Sequence, residues 1–293
     1  MEIINISKNK FDKLEPLVLP NGVRNTECDL FRFRYGNKDM ILKRLYFTNG
    51  NSFGNKLYTL EALSSNAEFI PDNFILPKFL VAINKKIEAF ALPYVKGTNL
   101  SVILNDPSIG YEEKKYYLKR IGQILEQMSY TRKYTELTDF YLGDLHEDNF
   151  IIDTKKREIY VNDVDSIKIA GNFSFPARYL TSRGLLNSAG NKYHLRKDIN
   201  SLTDYVVDEN TDLYCYVIVI LNYLYGENIN NIAIDDFYDY LNYLNSLEVD
   251  KNLLECFERI VTNGNNLNPI GYVDTLTAKQ IGMARKKIYM LKK

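Results

Sequence analysis

Tryptophan is absent from this 293-residue chain, and cysteine occurs only three times, at Cys28, Cys215 and Cys256. The three lie far apart and show no CxxC spacing. A disulfide framework or a zinc site is therefore not expected, and a reducing compartment fits. Net charge is missing as well, since 37 Lys and Arg balance 37 Asp and Glu. A dedicated nucleic-acid binder normally carries a basic excess, so no nucleic-acid partner is expected, although a local basic patch stays compatible with the balance. Met1-Glu2-Ile3-Ile4-Asn5 has neither the basic nor the apolar region of a signal peptide. Long apolar runs are lacking too. The longest, Tyr214 to Tyr225, is interrupted by Asn222 and falls short of the roughly 20 residues that cross a bilayer. The expectation is a soluble, cytoplasmic protein with no membrane partner, its oligomeric state open. Abundant Tyr, Asn, Lys and Ile beside absent Trp reads as AT-rich coding bias more than as function. With 45% hydrophobic residues, the chain can build one large domain or two modest ones.

What is present centres on Tyr141-Leu142-Gly143-Asp144-Leu145-His146-Glu147-Asp148-Asn149-Phe150. It follows an amphipathic helix pattern over 111–134, with Tyr117, Ile121, Ile124, Leu125 and Met128 at 3–4 spacing. It precedes a hairpin, Phe150 to Asp153 and Ile159 to Asp163, around Thr154-Lys155-Lys156-Arg157. An acid, an amide five residues on, a hairpin and then Asp163-Val164-Asp165 form a phosphoryl-transfer site in order. Asp144 would orient and deprotonate a hydroxyl, while Asn149 and Asp163 would hold Mg²⁺ against nucleotide phosphates. Asp165 is a second metal contact or a loop hydrogen-bonder. The bland alternative is an acidic surface loop with a stray histidine.

This stretch resembles the catalytic loop of the protein-kinase-like superfamily in its GDxHxxN form, which is shared by aminoglycoside and choline kinases and by many atypical bacterial protein kinases. The resemblance implies an α+β, bilobal fold, with a small strand-rich N-lobe (1–95) containing one main helix and a larger helical C-lobe (96–293). Leu30 to Phe33 and Met40 to Leu45 read as strands around a turn at 35–39. Lys43 then falls where the lysine that holds the α/β-phosphates belongs. Its implied carboxylate partner is Glu61, on a helix expected over 55–66. A second hairpin, 75–81 and 87–95, runs into a hinge at about 92–100. There Leu92 is the gatekeeper, Pro93 and Val95 offer backbone contacts to adenine, and Asn99 reaches the ribose. His146 replaces the basic residue that protein kinases carry two positions after the catalytic Asp, and could hydrogen-bond Asp144 or the transferring phosphate, or simply pack. Asp212, at the start of an apolar helix over 208–221 capped by Thr211 or Asn210, is the implied anchor of the loop. The chain departs from the family where a glycine-rich loop belongs, since Val23 to Leu30 contains no glycine. Residues 163–210 fall where an activation and substrate segment lies, and further helices are expected at about 233–247, 251–262 and 275–291. The implied cofactors are ATP and Mg²⁺, or Mn²⁺ in its place. The implied acceptor is a Ser or Thr hydroxyl of a protein, with a small-molecule hydroxyl or a non-catalytic nucleotide-binding scaffold as rivals.

Overall fold

The structure is a computed structural model that describes residues 1–17, 27–172, 179, 207–262 and 267–291, without the side chains of 286–291. Its first part is a six-stranded sheet built from β1 (Ile3–Ile6), β2 (Glu15–Pro16), β3 (Cys28–Tyr35), β4 (Lys38–Leu45), β5 (Phe79–Ile83) and β6 (Lys86–Pro93). The order across the sheet is β1-β5-β6-β4-β3-β2, antiparallel except for the parallel β1–β5 pair. The two-residue turn between β5 and β6 puts Asn84 and Lys85 at positive φ, the backbone that matches the twist of a tight hairpin. That hairpin starts at Phe79, later than the sequence suggested, because 71–78 is a connection that touches β9 (Glu158–Val161) through Phe74.

Period-two alternation gives the sheet two apolar faces. Ile6, Phe33, Met40, Leu42, Phe79 and Val81 bury one face against Phe11 of the short helix α1 (Lys8–Phe11). Cys28, Leu45, Leu80, Phe90 and Leu92 line the other and merge with the main core. Helix α2 (Gly50–Ser65) follows β4 and buries Lys56, Thr59, Leu60 and Leu63. These positions recur every three to four residues, the spacing of one helical face.

Beyond Pro93 the chain passes Gly97, where an added Cβ would lie 2.6 Å from the Ile152 carbonyl oxygen. Only glycine allows the linker to approach β8 (Phe150–Asp153) this closely. Strand β7 (Thr98–Asn99) then pairs with β8, and β8 with β9, as a three-stranded sheet. Helices supply the rest: α3 (Leu100–Asn105), α4 (Tyr111–Tyr134), α5 (Glu209–Tyr225), α6 (Ile234–Ser246), α7 (Lys251–Thr262), α8 (Ile270–Val273) and α9 (Ala278–Leu291). Helix α5 is buried all round from Thr211 to Leu221, as an apolar helix must be. Its N-cap is Asp208, whose side chain accepts from the Thr211 N–H, with Thr211 returning the bond in a capping box. This corrects the expected caps Thr211 and Asn210, because Thr211 is the N3 partner. Among the described residues, no helix is long and apolar enough to cross a membrane.

Candidate active site

Phe140, Leu142 and Leu145 are buried, and they pin the loop between α4 and β8 while Asp144 keeps 23% of its side chain exposed. The Asp144 N–H bonds the Leu142 carbonyl at 2.9 Å, closing a three-residue turn centred on Gly143 at φ +75°. A side chain would strain that backbone, so glycine precedes the acid for a physical reason. Asp212 of α5 fixes the turn from below, its carboxylate accepting from Leu142 N–H at 2.8 Å and Gly143 N–H at 2.9 Å. Arg132, in the last turn of α4, donates to the Phe140 carbonyl at 2.9 Å, lies over the Tyr141 ring and pairs with Glu209 at 2.9 Å. Loop, α4 and α5 are thereby one unit.

Burial pushes the Asp212 carboxyl up to about 7, against the two N–H groups that favour its charge. A carboxyl whose folded value lies above the usual value of about 3.9 binds its proton more tightly when folded. Wild-type protein is therefore expected to lose stability relative to Asp212→Asn as pH rises from about 4 to about 7, with no further change above that. Urea unfolding of both proteins across this window checks it, and a gap that widens in favour of wild type as pH rises would refute it.

Asn149 ties the loop to the far end of the hairpin. Its N–H bonds the His146 carbonyl at 3.0 Å, its side-chain amide donates to the Asp144 carbonyl at 2.8 Å, and its own carbonyl accepts from Asn162 N–H at 2.8 Å. None of these three bonds engages the amide oxygen of Asn149. His146 is buried, and its Nδ1 accepts from Asp148 N–H at 3.2 Å, capping the short turn Glu147–Asn149. The proton then sits on Nε2, 3.6 Å from the Asp144 carboxylate, so the imidazole faces the acid and shapes the turn at once. Tyr179 lies edge-on to His146 and bonds Glu147.

Asp163, the residue after Asn162, adopts φ 57° and ψ 41°, a left-handed conformation that costs a non-glycine residue energy. The chain then turns through Val164–Ser166. Lys43 reaches this turn from β4, with its ammonium bonded to Asp163 and, at 2.6 Å, to Asp165. The other Asp165 oxygen accepts from Lys56 of α2 at 2.7 Å, and Lys56 also meets Glu27 at 3.0 Å. Burial works against the charge on Lys43, yet attraction to Asp163 and Asp165 outweighs it and raises its pKa well above the ordinary value. Burial likewise opposes the Asp165 charge, and Lys43 and Lys56 outweigh it, so that carboxyl titrates below its usual range. Asp163 moves the other way, since burial and the adjacent Asp165 oppose its charge more than Lys43 favours it.

One expectation needs correction here. Glu61 does not meet Lys43. It is exposed, and its carboxylate lies 3.5 Å from the amine of Met1. It stands one residue past buried Leu60, turned off the stripe that carries Lys56 inward. Asp165, read as a second metal contact or a loop hydrogen-bonder, is fully enclosed and does the second, each oxygen accepting from an ammonium group. The oxygen donors suited to a hard cation are therefore the Asp163 carboxylate, 30% exposed, and the amide oxygen of Asn149. They fit Mg²⁺, which takes one or two protein oxygens and completes its shell with phosphate and water. No cluster of three or more His, Cys, Asp or Glu that could hold a metal ion occurs among the described residues.

The expected hinge residues fall where the chain leaves β6 of the six-stranded sheet and enters β7 of the three-stranded one. Leu92 pairs with Ile41, and Pro93 with Met40. Leu92 is buried on the face that also carries Phe90, over whose ring Lys43 lies at 5.7 Å. Tyr94 N–H bonds the Asp39 carbonyl at 3.1 Å. Val95 packs on the core, and Asn99 pairs with Ile151. Residues 18–26, which include the first half of the glycine-free loop, lie outside the described residues, as do 173–178 and 180–206 of the expected activation segment.

Among solved structures, the chain is similar to an apo pseudokinase, with a TM-score of 0.50 and 10% identity over 95% of this chain and 91% of that one. At that identity the likeness shows the fold alone: a mixed α+β, kinase-like fold with a strand-rich N-terminal sheet and a helical C-terminal region. In all, 1908 chains of known structure match, a breadth that leaves activity to be argued from the site. No family model matches the chain, and no curated protein does.

Proposed function

We propose that this chain transfers the γ-phosphoryl group of ATP, with Mg²⁺, to a hydroxyl group, and that the acceptor is a Ser or Thr of a protein. The observation that carries the reading is the joint placement of Lys43 on Asp163 and of Asp144 on a loop locked by Asp212 and Asn149. In this reading Lys43 supplies the ammonium that meets the α/β-phosphates, and Leu92, Pro93, Val95 and Asn99 border the nucleoside. Asp163 and Asn149 hold the metal, which when bound neutralises charge gathering on the phosphates. Asp144 accepts the proton of the attacking hydroxyl, and its turn keeps it directed away from the core. His146 keeps that turn closed. The protein acceptor is favoured by the resemblance of helix α5 and the helices after it to the later helices of protein kinases.

A second reading, a nucleotide-binding scaffold without turnover, draws support from α2, whose acidic residue Glu61 is turned away from Lys43. One solved structure to which the chain is similar is a pseudokinase.

Binding is tested first. A ligand that binds only the folded state stabilises it by about 2.7 kcal/mol at a hundredfold excess over its Kd. ATP with Mg²⁺ is expected to raise the melting temperature, and Lys43→Ala to remove most of that gain. Asp165 keeps Lys56 in that variant, so the fold should survive. No shift at millimolar ATP with either Mg²⁺ or Mn²⁺ would overturn nucleotide binding.

A further inference from the structure

Helix α2 meets the stretch after β9 at three points. Tyr58 donates to the Ala170 carbonyl at 2.6 Å, Thr59 accepts from the Asn172 amide at 2.6 Å, and Lys56 bonds Asp165 at 2.7 Å. The first two dock the helix. The third is different in kind, because it buries a second ammonium beside a carboxylate that Lys43 already neutralises. A helix position that needed only packing would carry an apolar side chain, and a lysine is buried at a cost unless its pairing is used.

The use lies in the double duty of Lys43. Its ammonium holds Asp163 and Asp165 and, in the functional reading, must also serve the phosphates. Drawing it off Asp165 would strand a fully buried carboxylate if no other cation were present. We propose that Lys56 is the standing counter-ion of Asp165, keeping that carboxylate paired while the Lys43 ammonium shifts to the nucleotide, and thereby sets the affinity for ATP. This inference rests on the phosphoryl-transfer reading. Lys56 is a positioning residue here, acting through Asp165 on Lys43. Its contact to Glu27 at 3.0 Å extends the same tie to the start of β3.

Titration calorimetry with ATP and Mg²⁺ tests it on four variants. Lys56→Met should weaken ATP binding about tenfold, because Lys43 is then retained by Asp165. Lys56→Arg, which keeps the charge, should bind ATP as wild type does. Lys56→Gln keeps a donor to Asp165 without the charge; it should behave as Lys56→Met and serves in its place if the Met variant does not fold. Thr59→Ala removes a docking bond of the same helix and should lower the melting temperature while leaving ATP affinity unchanged. Equal ATP affinity in wild type, Lys56→Met and Lys56→Gln would overturn the proposal. So would a loss in Thr59→Ala as large as that in the Lys56 variants, since the effect would then belong to helix docking. Wild type that fails to bind ATP would overturn the functional reading itself, and the role of Lys56 with it.

Discussion

Asp144→Asn is expected to lower phosphoryl transfer by about 10²–10⁴-fold, the usual worth of a general base, while leaving Mg·ATP affinity at the wild-type level. The bonds that shape the loop at this position are made by its main chain, through Asp144 N–H to Leu142 and the Asp144 carbonyl from Asn149. An isosteric amide therefore keeps the turn and removes only the proton acceptor. Nor does the carboxylate meet Lys43, whose partners are Asp163 and Asp165. Turnover and calorimetric affinity measured on the same preparation separate the two effects. A rate within threefold of wild type would remove Asp144 from the chemistry, and a matching loss of affinity would make it a nucleotide ligand instead.

The two aspartates after β9 should behave in opposite ways. Asp165→Asn is expected to cost about 3–5 kcal/mol of stability, the penalty for breaking a buried ion pair from one side. An asparagine can accept from one ammonium, but its NH₂ group then faces the other, donor against donor. Because Lys43 and Lys56 overcome burial and hold the Asp165 carboxyl below its usual range, its contribution is lost as pH falls. The gap between wild type and variant should be full above about pH 4, the unfolded value, and close below it. Asp163→Asn leaves Lys43 paired with Asp165 and changes a partly exposed side chain, so it should cost only about 1 kcal/mol. Its loss should appear in metal-dependent ATP affinity and in turnover. Chemical denaturation and calorimetry of both variants check the pair. If Asp165→Asn is stable and loses metal-dependent binding while Asp163→Asn keeps it, the metal-binding aspartate has been placed two residues too early.

The loop was legible because its chemistry is local. Gly143, Asp144, His146 and Asn149 lie within seven residues, and the bonds that shape their turn run mostly among those same residues. Helices α4 and α7 carry strong periodicity and fall where it placed them. Lys56 was not legible by residue type, since a lysine in a helix usually points to water. One signal was present: Lys56, Thr59, Leu60 and Leu63 share a stripe that Glu61 does not. The pairing of Lys43 with Glu61 followed the resemblance, which implies a carboxylate on this helix, and Glu61 lies off that stripe. Strand β1 was missed because four residues carry too little pattern, and its pairing with β5, more than seventy residues away, is tertiary. The enclosure of Asp165 has the same cause, since its two partners come from β4 and α2.

The central claim is transfer of a phosphoryl group, and γ-labelled ATP with Mg²⁺ tests it most directly, with the chain itself and casein as acceptors. Wild type should place label on Ser or Thr residues identifiable by mass spectrometry, and Asp144→Asn should place next to none while still binding ATP. Wild type that binds Mg·ATP yet labels no more than Asp144→Asn would contradict transfer and leave a nucleotide-binding scaffold.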